Sequence, residues 1–326
     1  ESQVRRLPID KVGLVLLVVW IGALQMVLDL GKEHDWFDSS LIVALAVTAV
    51  VGFAVFLIWE LTEAHPVVDL RLFARRNFWA GTLAVSVGYG VFFGNVVLVP
   101  LWLQQFMGYT ATDAGMIMAP VGLLAIVLSP VVGRTVMTVD PRRYATAAFF
   151  IFALVLWMRS RFNTQADFGT IMIPTLIQGV AMSMFFIPLM TLCMTGLSAD
   201  RTAAASGLSN FVRITAGAVG TSVVTTLWES RAAVHHAQLA EAISPANATA
   251  VTTVSQLMAG GLSQQQALAQ INRLVDQQAF MLAANDIFWA SSLICLALVP
   301  LVWLMRGPSR AAADAAAAAE AAAGAH

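Results

Sequence analysis

The chain has 326 residues, of which 59% are apolar and only 11% charged, and its mean hydropathy is +0.77. Soluble domains carry about 25% charged residues, so this chain lacks the polar side chains to cover a water-facing surface. Its formal net charge of −1 also argues against nucleic acid as a partner. The composition instead predicts a protein whose main partner is the lipid bilayer.

Eight apolar segments are candidates to cross a bilayer core, which takes about 20 helical residues at about 1.5 Å each. They are residues 12–30, 41–59, 78–103, 114–132, 144–158, 170–194, 206–228 and 283–305. The segment 144–158 is the shortest, and we expect Arg159 and Arg161 at its end to snorkel to the interface. The segments lack the alternation of barrel strands. The sequence predicts an all-α integral membrane protein of about eight transmembrane helices.

The Lys and Arg residues are distributed unevenly between the two sides of this arrangement. With the N-terminus in the cytoplasm, Arg213 lies inside a span, and five of the 18 basic residues lie on the opposite side: Lys32, Arg159, Arg161, Arg231 and Arg273. The remaining basic residues are all cytoplasmic. This bias predicts that both ends of the chain lie in the cytoplasm.

Four segments outside the spans complete the predicted organisation. Residues 1–11 form a cytoplasmic segment, 60–77 a cytoplasmic interfacial linker, and 306–326 a cytoplasmic low-complexity tail rich in alanine. Residues 229–282 are too polar to span and form a predicted extracytoplasmic helical insertion. Within the insertion, Gly260 and Gly261 mark a break, and Ser263 with Gln266 forms a candidate capping box.

Arg213 is the clearest polar candidate inside a span, and Asn210 lies on the same helical face three residues earlier. An ionisable group at mid-bilayer costs roughly 2.5 kcal/mol or more, so such groups often mark a transport path. Arg213 is interpreted either as an inward cation that holds a carboxylate, a substrate anion or a gate, or as a snorkelling or structural arginine.

Three further polar residues leave similar alternatives open. Asp286, just inside the last span, is either a proton-titrating carboxylate or an acid stabilised by a helix N-terminus. Asn95 and Gln178 are neutral and mid-span, and they either line a path or hydrogen-bond between helices.

Enzyme signatures are missing from the sequence. It has neither a G-x-x-x-x-G-K-[ST] loop for ATP nor an H-E-x-x-H or C-x-x-C metal motif. His235 and His236 are adjacent, and adjacent side chains on a helix project from different faces, so they are not expected to share a metal. We expect them to lie in a solvated loop. Cys193 and Cys295 each lie in an apolar run and are expected to be ordinary buried side chains. We predict a protein that is not an enzyme and holds no metal or cofactor.

Several longer stretches resemble a known family. They are residues 9–17 (IDKVGLVLL), 28–37 (LDLGKEHDWF), 66–73 (PVVDLRLF), 108–112 (GYTAT), 119–122 (APVG), 204–213 (AASGLSNFVR), 235–239 (HHAQL) and 284–289 (ANDIFW). Together they resemble the major facilitator superfamily, and within it the branch of fourteen-span drug:proton antiporters. The matching stretches run from the N-terminus to the last span.

The resemblance implies that the chain is the C-terminal portion of such a protein. Residues 12–59 look like the two extra central transmembrane helices of the branch, and 78–305 like the C-terminal six-helix bundle with the insertion 229–282. The N-terminal six-helix half, which holds the family's main proton-coupling residues, is absent from this chain. The family's cytoplasmic-loop motif is degenerate here. Gly133, Asp140, Arg142 and Arg143 remain as a candidate cytoplasmic latch.

The resemblance also implies a function and partners. The expected activity is export of hydrophobic small-molecule drugs by alternating access, with inward-moving protons and no cofactor as the energy source. The expected location is a bacterial inner membrane, and the expected partners are a periplasmic adaptor protein and an outer-membrane channel. Two alternatives remain open, namely a metabolite facilitator of the same superfamily and a non-transporting membrane scaffold subunit.

Overall fold

The computed structural model describes residues 10–63, 66–136, 138–241, 243 and 247–307, and the regular elements within them are all helical. The α-helices are α1 (Lys11–Leu30), α2 (Ser40–Thr62), α3 (Arg76–Phe106), α4 (Ala111–Thr135), α5 (Pro141–Arg159), α6 (Phe168–Ser183), α7 (Phe186–Met194), α8 (Ala199–Glu241), α9 (Ala248–Ala259) and α10 (Gln264–Leu304). Short 3₁₀ helices cover Trp36–Asp38 and Leu70–Ala74. The predicted all-α fold is confirmed.

Seven helical segments of the described chain are long and apolar enough to cross a membrane: α1, α2, α3, α4, α6 together with α7, α8 and α10. α5 contains the predicted span 144–158 but is less apolar, because arginines lie near both of its ends. It nevertheless packs inside the same bundle, where Ala145 and Phe149 are fully buried. Seven of the eight predicted spans therefore coincide with long apolar helical segments of the described chain, and the eighth, 144–158, lies on α5.

The span predicted over 170–194 is divided into two helices. α6 ends at Ser183 and α7 begins at Phe186. Pro188 explains the position of the break, because proline has no N–H to donate to the carbonyl of Met184, four residues earlier, and its ring collides with that carbonyl. The helix therefore ends before Met184 and begins again two residues later.

The helices form a bundle around α3 with a separate pair beside it. α3 packs against α8, α10 and α7, α10 also packs against α5 and α8, and α4 packs on α6. In the core, the Phe185 ring meets the edges or faces of Phe149 and Phe152 at centre distances of 5.7 and 5.6 Å. α1 and α2 pair with each other. This arrangement leaves the α1–α2 pair beside the bundle rather than within its core.

α3 and α8 cross with their backbones almost in contact. A Cβ atom added at Gly220 would lie 2.3 Å from the carbonyl oxygen of Gly90, and one at Gly94 would lie 2.6 Å from a methyl group of Val224. Only glycine permits so close an approach. Small residues at such crossings let transmembrane helices gain van der Waals contact, which is the main attraction between helices in lipid.

The predicted extracytoplasmic insertion is largely an extension of the flanking helices. α8 continues through Glu229 to Glu241, and α8 and α10, with 43 and 41 residues, are each about 60 Å long, twice the thickness of the hydrocarbon core. α9 ends next to Gly260, and Gly261 has a positive φ of 98°. The capping box of Ser263 and Gln266 at the start of α10 is confirmed.

The predicted linker 60–77 follows α2, whose last turn is tied to the start of α1. Asp10 caps α1 through the N–H of Gly13 and accepts the indole N–H of Trp59, each at 2.9 Å. The Gly13 hydrogen bond is the main reason why the pKa of the Asp10 carboxyl lies below its ordinary value. Farther along the linker, Leu72 is 1% exposed and packs with Phe78. The predicted terminal segments lie almost wholly outside the described residues, at 1–9 and 308–326.

Candidate functional site

Arg213 lies on α8, and its guanidinium is held against two aromatic rings. Its central carbon is 4.8 Å from the ring centre of Tyr89 on α3 and 4.9 Å from that of Phe186 on α7. One of its amino groups donates to the side-chain oxygen of Asn210. The arginine is half-buried, and no Asp or Glu side chain of the described residues forms an ion pair with it. The structure thus brings Arg213 and Asn210 together, as their spacing predicts.

Glycine at position 217 makes this arrangement fit. A Cβ atom there would lie 2.7 Å from the Tyr89 ring, so the ring can lie this close to α8 only where no side chain is present. Tyr89 also packs on Phe93 at a centre distance of 4.3 Å. Cation–π contacts stabilise a guanidinium by about 0.5–2 kcal/mol, more when water is excluded. The rings therefore orient the Arg213 cation where three helices meet.

Asn95 joins α3 to α10. It is 1% exposed, and its amide nitrogen donates to the Val91 carbonyl at 2.7 Å and to the Ser291 hydroxyl at 3.1 Å. Its side-chain oxygen has no partner among the described residues. The contacts that the structure gives Asn95 are therefore those of a bridge between helices.

Gln178 accepts a hydrogen bond of 2.7 Å from Arg159, which also donates to Thr175 at 3.2 Å. Arg159 is 0% exposed, so the expectation that it snorkels to the interface is wrong. Its last-turn position on α5 faces α6 inside the bundle rather than lipid. Two of its nitrogens, Nε and Nη1, have no partner in the described part of the chain. Sequence reasoning missed this buried cation because hydropathy gives no helix orientation.

Asp286 connects α10 to α8 through two basic side chains. One of its oxygens accepts from Arg231 at 2.6 Å and from His235 at 2.8 Å. Asp286 does not lie at a helix N-terminus, because α10 begins at Gln264, so the dipole interpretation is wrong. His235 does not lie in a solvated loop either, since it belongs to α8 and its side chain is 15% exposed. Arg161, by contrast, is exposed over the Trp157 ring.

The four candidate latch residues lie at the end of α4 and the start of α5. Asp140 is the N-cap of α5 and accepts the Arg142 N–H at 3.0 Å, and its carboxylate is 3.8 Å from the Arg142 guanidinium. Arg142 also packs against Gly307 beyond the end of α10. Gly133 lies on α4, and Arg143 is exposed. The structure thus brings Asp140 and Arg142 together, while the carboxylate mainly caps its own helix.

These features define a multi-pass membrane protein with polar residues joining the helices of an otherwise apolar bundle. Residues 12–221 match the family model of the Major Facilitator Superfamily, and the chain belongs to that family of transporters. The fold agrees with this assignment. A solved bacterial homologue of the human lysosomal transporter Spinster, 16% identical, superposes with a TM-score of 0.52 over 90% of this chain and 64% of its own.

Curated relatives are similar over nearly the whole chain. The multidrug export protein EmrB of Escherichia coli (strain K12) is 46% identical over 309 residues, which is 94% of this chain and 60% of the relative. The fatty acid resistance protein FarB of Neisseria gonorrhoeae is also 46% identical, over 94% of this chain and 61% of its own. The chain spans about three fifths of the length of these relatives.

Proposed function

We propose that this chain is the C-terminal portion of a proton-coupled multidrug efflux transporter that exports hydrophobic toxic compounds by alternating access. The observation that carries the proposal is the 46% identity to EmrB over 94% of the chain. A second half of six N-terminal helices would complete the transporter and supply its main proton-coupling residues. The substrate path would then lie between the two halves near the bilayer midplane.

Arg213 is our candidate for gating in this transporter. No carboxylate of the described residues pairs with its charge. The Tyr89 and Phe186 rings set the orientation of the guanidinium without neutralising it. A substrate or a group from the other half that competes for the guanidinium would break its bond to Asn210. Asn95 and Gln178 would instead keep their helices together while the bundle moves as one body.

Asp286 is our candidate for a secondary titrating group. It is half-exposed and shares one oxygen between Arg231 and His235, so a proton on the carboxyl would weaken both contacts between α8 and α10. The proton gradient would be the energy source, with no cofactor. Protons would reach Asp286 from the predicted extracytoplasmic side.

The proposed location is a bacterial inner membrane with both ends of the chain in the cytoplasm. In that orientation α9 and the first half of α10 lie in the periplasm. None of the residues of α9 is buried in the structure. Exposed Val251 and Met258 give α9 an apolar surface. We assign this surface to a periplasmic adaptor protein, which would connect the transporter to an outer-membrane channel.

Drug accumulation in efflux-deficient bacteria tests the proposed function. This chain alone is compared with the chain joined to the six N-terminal spans from the same gene, with membrane insertion of both measured by immunoblot. We expect that only the joined form lowers accumulation and that a protonophore abolishes the effect. Normal insertion of both forms with unchanged accumulation would instead favour a metabolite facilitator or a non-transporting scaffold.

A further inference from the structure

Two carboxyl groups meet at the predicted cytoplasmic end of the α1–α2 pair. One belongs to Asp10, which precedes α1, and the other to Glu60 in the last turn of α2. Both reach the face of α1 at Gly13, because a Cβ atom added there would collide with an Asp10 oxygen and would lie 2.7 Å from a Glu60 oxygen. Glycine at this position therefore leaves open the space in which the two acids converge.

Glu60 is a buried acid with an unpaired oxygen. Its side chain is 2% exposed, and its Oε2 atom accepts the backbone N–H of Val68 at 3.0 Å. Its Oε1 atom has no hydrogen-bond partner among the described residues, and none of their basic side chains forms an ion pair with it. An ionised carboxylate costs far more to bury than a neutral carboxyl group. These surroundings favour a neutral Glu60.

Asp10 lies in contrasting surroundings that favour the anion. One of its oxygens accepts the Gly13 N–H and the other accepts the indole N–H of Trp59, each at 2.9 Å. Hydrogen bonds donated to a carboxylate stabilise its charged form, and a nearby like charge disfavours a second carboxylate. Where two neighbouring acids have such different environments, one of them holds a proton and the other does not.

The other charged groups near the pair do not offset this effect. None of the remaining charged side chains at this end of α1, α2 and the linker forms an ion pair with Asp10 or Glu60 in the described part of the chain; they are Lys11, Glu63, Asp69 and Arg71. Lys11 and Arg71 are exposed. The negative charges of Asp10 and Glu63 both act against an ionised Glu60.

We propose that Glu60 and Asp10 form a proton-binding site that holds the linker to the α1–α2 pair. A proton taken from cytoplasmic water forms an O–H bond with Oε1 of Glu60, and this O–H donates to the Asp10 carboxylate. Loss of the proton leaves two adjacent carboxylates, so Glu60 turns to water and releases the Val68 N–H. Cytoplasmic pH thereby controls how firmly residues 66–74 are held. Neither step depends on the drug export proposed above.

The proposal fixes the sign and the size of the pH effect. When the linker opens, Glu60 reaches water, where a glutamate ionises near about pH 4.3. Above that pH each opening event releases one proton, so the open fraction rises about tenfold for each pH unit until the closed site also loses its proton. Acid therefore favours the closed linker and alkali favours the open one.

Hydrogen exchange of the linker tests the proposal. The complete protein that contains this chain is studied by mass spectrometry on peptides covering residues 66–74, from about pH 5 to about pH 8, which lies above the ordinary pKa of a glutamate. Each rate is divided by the intrinsic exchange rate at that pH. We expect a rise of about tenfold per pH unit over part of this range. A corrected rate that does not change with pH would overturn the proposal.

Glu60→Gln is the informative variant, because its amide N–H donates to Asp10 and its oxygen still accepts from Val68. Its linker should exchange slowly at every pH. Glu33→Gln is the matched control, since Glu33 is exposed at the opposite end of the α1–α2 pair and its loss should leave the pH response unchanged. An equal pH response in Glu60→Gln and Glu33→Gln would contradict the proposal.

Two other sources of a pH response are tested separately. His65 lies outside the described residues, and histidine titrates near neutral pH. His65→Gln should keep the response, and its loss would assign the response to the histidine instead. Exchange in the presence of EDTA should also be unchanged. A response abolished by EDTA would assign the two carboxylates to a metal ion and overturn the proton site.

Infrared spectroscopy detects the proton directly, without any opening of the linker. The spectrum of Glu60→Gln is subtracted from that of the unmodified protein at neutral pH. We expect the difference to contain the C=O band of a protonated carboxyl group, shifted in D2O. A difference that contains only carboxylate bands would overturn the proposal. Drug export is not part of either measurement, so failure of the proposed exporter would leave the proton site standing, and the reverse also holds.

Discussion

The central guanidinium carbon of Arg213 lies 4.8 Å from the centre of the Tyr89 ring, at the point where α8 crosses α3. Gly217 makes room for the ring, and Gly90 with Gly220 lets the two backbones approach. A cation inside a span is thereby held by aromatic faces and a neutral amide rather than by a carboxylate. Its charge stays available to a ligand or to another part of the transporter.

We predict that Arg213→Ala lowers drug efflux in the complete protein by about tenfold while membrane expression stays near the wild-type level. The loss follows from removing the only cation held at the α3–α8 crossing of the described chain. The measurement is initial efflux rate divided by immunoblot signal. Arg161→Ala is the control, because Arg161 also lies over an aromatic ring, 4.6 Å from the centre of Trp157, but at the exposed end of α5. Parallel losses of efflux and expression would show that Arg213 is structural.

The α3–α8 crossing should not tolerate any added side chain. Gly220→Ala places a methyl group against the Gly90 backbone, and overpacking of this kind destabilises by about 1–3 kcal/mol. We expect a melting temperature several degrees lower for the purified protein in detergent. Gly122→Ala is the matched control, since a Cβ atom at Gly122 meets no atom within 4 Å. Equal melting temperatures of the two variants would contradict the close approach of the helices.

Removing the acceptor of the buried Arg159 should destabilise the protein more than removing the acceptor and the arginine together. Gln178→Leu removes its 2.7 Å acceptor and leaves the guanidinium with Thr175, so we expect a loss of about 1–3 kcal/mol in unfolding free energy. Adding Arg159→Met to Gln178→Leu should recover part of that loss, because the unpaired buried charge is removed. Thermal unfolding of both variants measures the difference. A double variant less stable than Gln178→Leu would mean that Arg159 has another strong partner.

Asp286 should change the pH profile of transport if it titrates. We expect Asp286→Asn to flatten the dependence of drug/proton exchange on external pH in proteoliposomes. His235→Gln, which removes one partner but keeps the carboxylate, should shift that profile without flattening it. Because the Asp286 side chain is 41% exposed, its ion pair with Arg231 contributes only about 0.2–1 kcal/mol of stability. An Asp286→Asn profile identical to wild type would leave Asp286 as a structural contact between α8 and α10.

Deleting residues 249–278 from the complete protein should abolish pull-down of the periplasmic adaptor while transport into inverted vesicles stays measurable. The deleted segment contains most of α9 and the first part of α10, and it stops before the contact of Phe280 with Trp228 that closes the bundle on this side. Adaptor retained by the deleted protein would show that the contact lies elsewhere.

Local sequence features were sufficient for several elements. Ser263 with Gln266 and the glycines at 260 and 261 placed the boundary between α9 and α10 because capping and chain reversal depend on neighbouring residues alone. Seven of the eight predicted spans match long apolar helical segments of the described chain, because hydropathy measures how each segment partitions between water and lipid. The predictions that Arg159 snorkels and that His235 lies in a solvated loop were wrong because both side chains are placed by distant contacts. Their partners Gln178 and Asp286 are 19 and 51 residues away in the chain.

The sequence by itself determined that this protein is a helical membrane protein, which segments are long and apolar enough to cross the bilayer, and which polar residues stand out within them. Composition and hydropathy suffice for this because the bilayer acts on every segment separately. Only the tertiary structure decided that Arg213 lies over Tyr89, that Arg159 turns inward, and that α1 and α2 pair with each other beside the bundle. Those outcomes depend on the rotation of each helix about its axis, which is decided by packing between helices far apart in the chain.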